Sequence, residues 1–214
     1  LKRTLITNAT IEPTQVAGFN QFFDDFNGTK AWHYGGAIDQ KITKELFGGV
    51  EFTMRDMSVP AIGPGDKVVH DDQKEYIGRA YLFWTPHPWV ALRAEYIGER
   101  VTSQGIVGMP KKLDTHRAPM GINFFHPSGL SAFFKGTLVN QDIKMATGDD
   151  RTGSDNFWLA DVGISYRLPK RYGFIIVGAT NIGDKRFDYY ERDFNNTSVQ
   201  PGRLFFAKIT LSLP

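Results

Sequence analysis

The residues of this chain best suited to chemistry are scattered, and none of them has an evident partner set. The five histidines are His33, His70, His87, His116 and His126. His87 and His126 each adjoin a proline in segments that read as tight turns, which suits a structural part better than proton transfer. Ser128, in His126-Pro127-Ser128-Gly129, belongs to the same turn chemistry, and no G-x-S-x-G nucleophile elbow occurs. His70-Asp71-Asp72 lies in an expected long loop and has ligand atoms for a cation, but a solvated polar loop is the simpler account. The acidic, glycine-rich run from Thr147 to Asn156 carries Asp149, Asp150 and Asp155, whose hard oxygens suit Ca²⁺. Its spacing departs from an EF-hand, so a plain loop is favoured here too. Cysteine is absent, which excludes disulfides and thiolate metal centres. The expectation is a non-enzymatic protein with no catalytic set, no metal and no cofactor.

Nine charges are more informative: Arg79, Arg93, Glu95, Glu99, Arg117, Lys135, Asp161, Arg167 and Lys208. Each sits on the polar side of a segment in which apolar and polar residues alternate. Opposite charges facing one another across strands would stiffen such a wall. The sharper alternative is a selectivity surface for a polar solute, or a wall against which a plug domain docks. The ion-pair ladder is the favoured reading.

Alternation with a period of two is the signature of a strand with one apolar and one polar face. In the last segment Phe205, Ala207, Ile209 and Leu211 oppose Phe206, Lys208 and Thr210. In Asn156–Leu168, Trp158, Ile164 and Tyr166 oppose Asp161 and Arg167. About eleven strands are expected, near Lys2–Thr10, Thr14–Asp24, Thr29–Ile42, Leu46–Met57, Gln73–Thr85, Trp89–Thr102, Thr115–Phe125, Gly129–Asp142, Asn156–Leu168, Tyr172–Asp184 and Arg203–Leu213. Short connections at Thr43–Glu45, Pro86–Pro88, His126–Ser128 and Pro169–Arg171 alternate with long ones at Ser58–Asp72, Ser103–Asp114, Ile143–Asp155 and Lys185–Gly202. Short turns at one end and long loops at the other are the habit of outer-membrane barrels.

Composition agrees. Aromatics make up 14% of the residues and gather near strand ends, as in the girdles of a barrel. No run approaches the roughly 18 apolar residues of a spanning helix, and the mean hydropathy of −0.31 argues against a helical membrane protein. A net charge of +2 with dispersed Lys and Arg gives no reason to expect nucleic-acid binding. The fold class expected is all-β: an antiparallel up-and-down transmembrane barrel forming one region, residues 1–214.

The stretch Gly178-Ala179-Thr180-Asn181-Ile182-Gly183-Asp184-Lys185-Arg186-Phe187, followed by Pro201-Gly202-Arg203 and an aromatic last strand, resembles the C-terminal part of TonB-dependent outer-membrane receptors. Asn20-Gln21-Phe22-Phe23-Asp24 and Tyr166-Arg167-Leu168-Pro169-Lys170-Arg171-Tyr172-Gly173 give a looser likeness to the barrels of outer-membrane proteins with tetratricopeptide repeats. The first resemblance implies solute uptake, with Asn181, Asp184, Lys185, Phe187, Pro201, Gly202 and Arg203 as the family motif. It also implies a Gram-negative outer membrane, with lipid, lipopolysaccharide, the barrel-insertion machinery, a plug domain and a TonB-type coupling protein as partners. Such barrels have about 22 strands, so these eleven would be the C-terminal half, with at least one strand upstream of Leu1. The chain departs from the family in ending on Leu213-Pro214 rather than an aromatic residue, and it displays no plug or TonB box. The second resemblance implies an anchoring or polymer-export barrel. A rim-active hydrolase, the third idea, would require a Ser–His pair within hydrogen-bonding reach.

Overall fold

A computed structural model of the chain describes residues 9–16, 19–26, 28–62, 67–104, 110–146, 152–187 and 202–212. Among them the alternating segments form eleven strands and no α-helix. These are β1 (Ala9–Val16), β2 (Phe19–Phe26), β3 (Lys30–Lys41), β4 (Leu46–Ile62), β5 (Val68–His87), β6 (Val90–Ser103), β7 (Pro110–Phe125), β8 (Leu130–Met145), β9 (Gly153–Arg167), β10 (Gly173–Thr180) and β11 (Leu204–Leu211). β1 and β2 pair with each other, and the other nine form one antiparallel sheet in chain order. The all-β, up-and-down expectation holds at this level. The sheet is open, with β3 and β11 as its edges.

The boundaries differ from the sequence reading in three ways. The expected strand Thr14–Asp24 is split between two arms, paired from Ala9↔Phe26 to Val16↔Phe19. Val16-Ala17-Gly18-Phe19 has no proline or asparagine to mark that break. Residues 1–8, most of the first expected strand, lie outside the described residues.

The long connections shrink second. β4 and β5 stay paired as far as Ile62↔Val68, β8 and β9 as far as Ile143↔Gly153, and β7 already begins at Pro110, within the expected connection Ser103–Asp114, to pair with the end of β6. His70, Asp71, Asp72 and Asp155 therefore lie in strands, not loops. The ladder tolerates Pro60 because β3 begins only at Lys30, opposite Ser58, so the edge of the chain where Pro60 lacks an N–H has no ladder to lose.

Third, β10 stops at Thr180 rather than Asp184. Asn181 (φ 46°) and Asp184 (φ 50°) take the left-handed conformation, which no strand continues through.

The short turns gather at one end of the sheet. One uniformly spaced row crosses it through Leu46, Trp84, Leu92, Ile122, Phe134, Val162, Ala179 and Phe205. That row starts at the base of β4 and ends six residues from the base of β11, after seven strand junctions. At ordinary strand dimensions the slide is about 20 Å along against about 34 Å across, a tilt of about 30°.

The one buried apolar cluster among the described residues (Val101, Leu113, Ile143 and Met145) sits on the long arms, away from the short turns.

Candidate functional site: a charged wall on a two-faced sheet

Direct pairing places facing residues on the same side, so the parity of the register defines two faces from β3 to β11. One face is apolar. Every second residue of Leu46–Met54, Tyr76–Trp84, Val90–Gly98, His116–Phe124, Leu130–Leu138 and Trp158–Tyr166 lies on it, and none of them is an acid, Lys or Arg. Ile175, Val177, Phe205, Ile209 and Leu211 continue it across β10 and β11. These side chains are not core. Trp158 is 57% exposed, Ile164 52% and Ile209 64%, and Tyr166, Phe205 and Leu211 are exposed as well.

Aromatic rings mark both margins of this apolar zone. Toward the short turns Trp89 lies between His87, at 5.3 Å, and His126, at 5.6 Å. Toward the long arms Phe52 and Tyr76 approach to 6.5 Å, and the Tyr96 hydroxyl and His116 Nδ1 are 2.7 Å apart. With Gly78 and Gly98 as floor, Phe52, Tyr76 and His116 line a shallow depression there. Beyond that margin the same face turns ionic. Asp114 accepts from Arg100 Nε at 2.6 Å and meets Lys112 Nζ at 2.6 Å. Burial pushes the Asp114 carboxyl up, but the hydrogen bonds and charges of Arg100 and Lys112 outweigh it and hold the group below its ordinary range.

The other face carries the nine singled-out charges, and the structure brings six of them together as three cross-strand pairs. Arg79 Nη2 meets Glu95 Oε2 at 3.0 Å, and its guanidinium lies 4.9 Å from the Tyr81 ring centre. The Tyr81 hydroxyl donates to Asp39. Arg117 pairs with Glu99. Lys135 Nζ stands 3.5 Å from Asp161, which also accepts the Asn181 backbone N–H at 3.0 Å. The remaining three, Arg93, Arg167 and Lys208, have no carboxylate within ion-pair distance among the described residues. Arg93 instead lies along Gly121, where a Cβ would come within 3.1 Å of its Nε. A fourth pair, Arg55–Glu75 at 2.8 Å, was not singled out in the sequence. Alternation puts both on the polar face, but only the register Arg55↔Glu75 reveals them as partners.

Two glycines on this face serve as platforms for phenylalanine. The register Phe133↔Gly163↔Gly178↔Phe206 lays one ring toward each glycine from either side. A Cβ on Gly163 would fall 2.3 Å from Phe133 Cε1, and one on Gly178 would fall 2.7 Å from Phe206 Cζ.

The motif residues form a clasp where β10 ends. The Asn181 side chain accepts the Lys185 N–H and donates to the Lys185 carbonyl, both at 2.9 Å. Asp184 Oδ1 accepts the Arg203 N–H at 2.9 Å, and Gly202 lies so close that a Cβ would meet Asp184 at 3.0 Å. Phe187 stacks on Phe157 with ring centres 4.2 Å apart. Pro201 lies outside the described residues. The clasp thus ties β9, the end of β10 and the start of β11 together by hydrogen bonds and stacking.

The remaining candidates disperse. Asp149 and Asp150 lie outside the described residues, and Asp155 is strand-borne with its Oδ1 accepting the Asn156 N–H. Asp71 is wholly buried and bonded by Gln73 and by the Gln104 N–H. Among the described residues no group of three His, Cys, Asp or Glu side chains could hold a metal ion. His126 and Ser128 do approach to 2.9 Å, but within one turn, where His126 Nδ1 already accepts the Ser128 N–H at 3.2 Å. That geometry closes a turn; among the described residues no third group is hydrogen-bonded to the ring to orient it as nucleophilic catalysis requires.

Comparison of the chain with protein-family models, with curated proteins and with solved structures gives no match.

Proposed function

We propose that this sheet is part of the wall of an outer-membrane β-barrel that lets a polar solute cross, in the manner of TonB-dependent receptors. The observation that carries the reading is the segregation of charge. Nine-residue apolar stretches recur on one face of β4, β5, β6, β7, β8 and β9, level with one another, while Arg, Lys, Asp and Glu at those heights point to the other. The eight rises of a nine-residue stretch, about 3.3 Å each and tilted by about 30°, reach about 23 Å, close to the roughly 25 Å apolar band of such barrels. Water gives no reason to keep so large an exposed area free of charge, whereas hydrocarbon does. On this reading lipid and lipopolysaccharide contact the apolar face, and insertion uses the cell's barrel-assembly machinery. A plug domain and a TonB-type coupling protein complete the transporter. Two measurements test it. The protein folded into phospholipid vesicles should run faster on SDS gels before boiling than after, and the vesicles should take up a small polar solute. Identical mobility in both lanes would remove the membrane assignment.

A second reading, a barrel that anchors a repeat domain or other partner, is favoured by the self-neutralised pairs of the wall. A heat-modifiable protein that passes no solute would select it.

A further inference from the structure

We infer that the solute admitted along this wall is an anion; the inference rests on reading the wall as a passage. What a solute meets is the charge left over after internal pairing, weighted by how much of it is exposed. Pairing consumes Glu95, Glu99 and Asp161, whose side chains are only 14%, 32% and 21% exposed. Glu75, 14% exposed, is taken by Arg55, Glu51 and Asp71 are buried at 7% and 0%, and the half-exposed Asp155 sits at the far end of the wall, near the start of β9 on the long arms. Asp39 carries the Tyr81 hydroxyl as donor and has Lys41 two residues along on its own face. The cations divide differently. Arg167 and Lys208 are exposed, Arg93 is half-exposed, and none of the three has a carboxylate partner among the described residues.

Their placement is as one-sided as their sign. Arg167 is the last residue of β9, Lys208 stands level with Ser165 across Ile176, and Arg93 is the fourth residue of β6. All three therefore lie in the half of the wall nearest the short turns. Fixed positive charge lining a wet passage concentrates anions there and repels cations, over a range of about 8–10 Å at ordinary ionic strength. Arginine and lysine linings are the usual means by which pores select anions. Ion pairs held side by side, by contrast, present only short-range dipoles. The shared chemistry is a carboxylate, phosphate or sulfate group.

The test is the reversal potential of the protein in a planar bilayer under a potassium chloride gradient. Wild type should pass chloride several-fold more readily than potassium, less strongly so as salt rises. The variant R93E/R167E/K208E should invert the preference to below one. The exchange E99R/R117E, which keeps both a pair and the net charge, should leave it within about twofold. An open channel that prefers potassium, or a triple variant that still prefers chloride, overturns the inference while the passage reading stands. A heat-modifiable protein that gives no current removes the passage reading and the inference with it.

Discussion

Ala94 lies at the centre of the apolar face, between Leu82 and Met120 in neighbouring strands, and it is exposed. Replacing it by arginine removes almost no packing and creates no cavity, so the solvent alone decides the cost. In water, a surface substitution of this kind stays within about 0.5 kcal/mol of neutral. In a bilayer, arginine facing lipid near the midplane costs about 2–4 kcal/mol. That is a loss of roughly thirtyfold to nearly a thousandfold in the folding equilibrium. Ala91, three residues away and on the charged face opposite Asn123, is the matched control; Ala91→Arg places the same guanidinium in the wet interior and should cost little. The assay is urea unfolding from phospholipid vesicles, followed by the fluorescence of the four tryptophans. Ala94→Arg should lower the transition midpoint sharply, whereas Ala94→Leu should leave it unchanged or raise it. If the two arginine variants unfold at the same urea concentration as wild type, the apolar face does not meet hydrocarbon, and the reasoning about charge segregation fails.

Four further outcomes follow from the geometry of the sheet. Gly178→Ala should destabilise by about 1–3 kcal/mol, because its Cβ would fall 2.6 Å from the Val162 carbonyl oxygen as well as onto the Phe206 ring. Gly136→Ala, whose Cβ meets nothing nearer than Phe134 at 3.8 Å, should be neutral or stabilising by up to about 1 kcal/mol in the same unfolding assay. Arg79→Ala leaves the partly buried Glu95 uncompensated and should cost about 1–2 kcal/mol, with the exchange R79E/E95R recovering most of it in a double-mutant cycle. Asp114, held below its ordinary range, contributes stability that is complete above that range and is lost as pH falls through its folded value. Wild type should therefore lose unfolding midpoint below about pH 4, and Asp114→Asn should flatten that part of the profile; an unchanged slope would dismiss the Arg100–Asp114–Lys112 group as a source of stability.

Alternation made the strands from Lys30 onward legible, because a period of two with every mid-strand charge on one side leaves little freedom of register. The arms were not legible. Val59-Pro60-Ala61 and Val68-Val69 flank a run of glycine and proline, and local punctuation there reads as loop while cross-strand pairing extends the ladder to Ile62↔Val68. The motif Asn181–Phe187 stood out as a likeness, but its hydrogen bonds depend on left-handed Asn181 and Asp184, and nothing in the alternation predicts where β10 yields to them. Candidate charges such as Arg79 and Glu95 were visible singly. Which of them neutralise each other was not, since pairing depends on register between strands 16 residues apart in the case of Arg79 and Glu95. Arg93, Arg167 and Lys208 therefore looked no different in sequence from Lys135, which has a partner.

The nine strands of the main sheet alternate in direction, so its two outermost members, β3 and β11, run the same way. A cylinder in which all neighbours are antiparallel must contain an even number of strands. Joining β3 directly to β11 would introduce a parallel seam, and so would two copies of this sheet inserted with the same sense. Docking β1 and β2 as a hairpin against β3 adds two and leaves the mismatch as it was. Any wholly antiparallel cylinder built on this sheet therefore recruits an odd number of strands beyond these nine, and its size is ten, twelve or a larger even number.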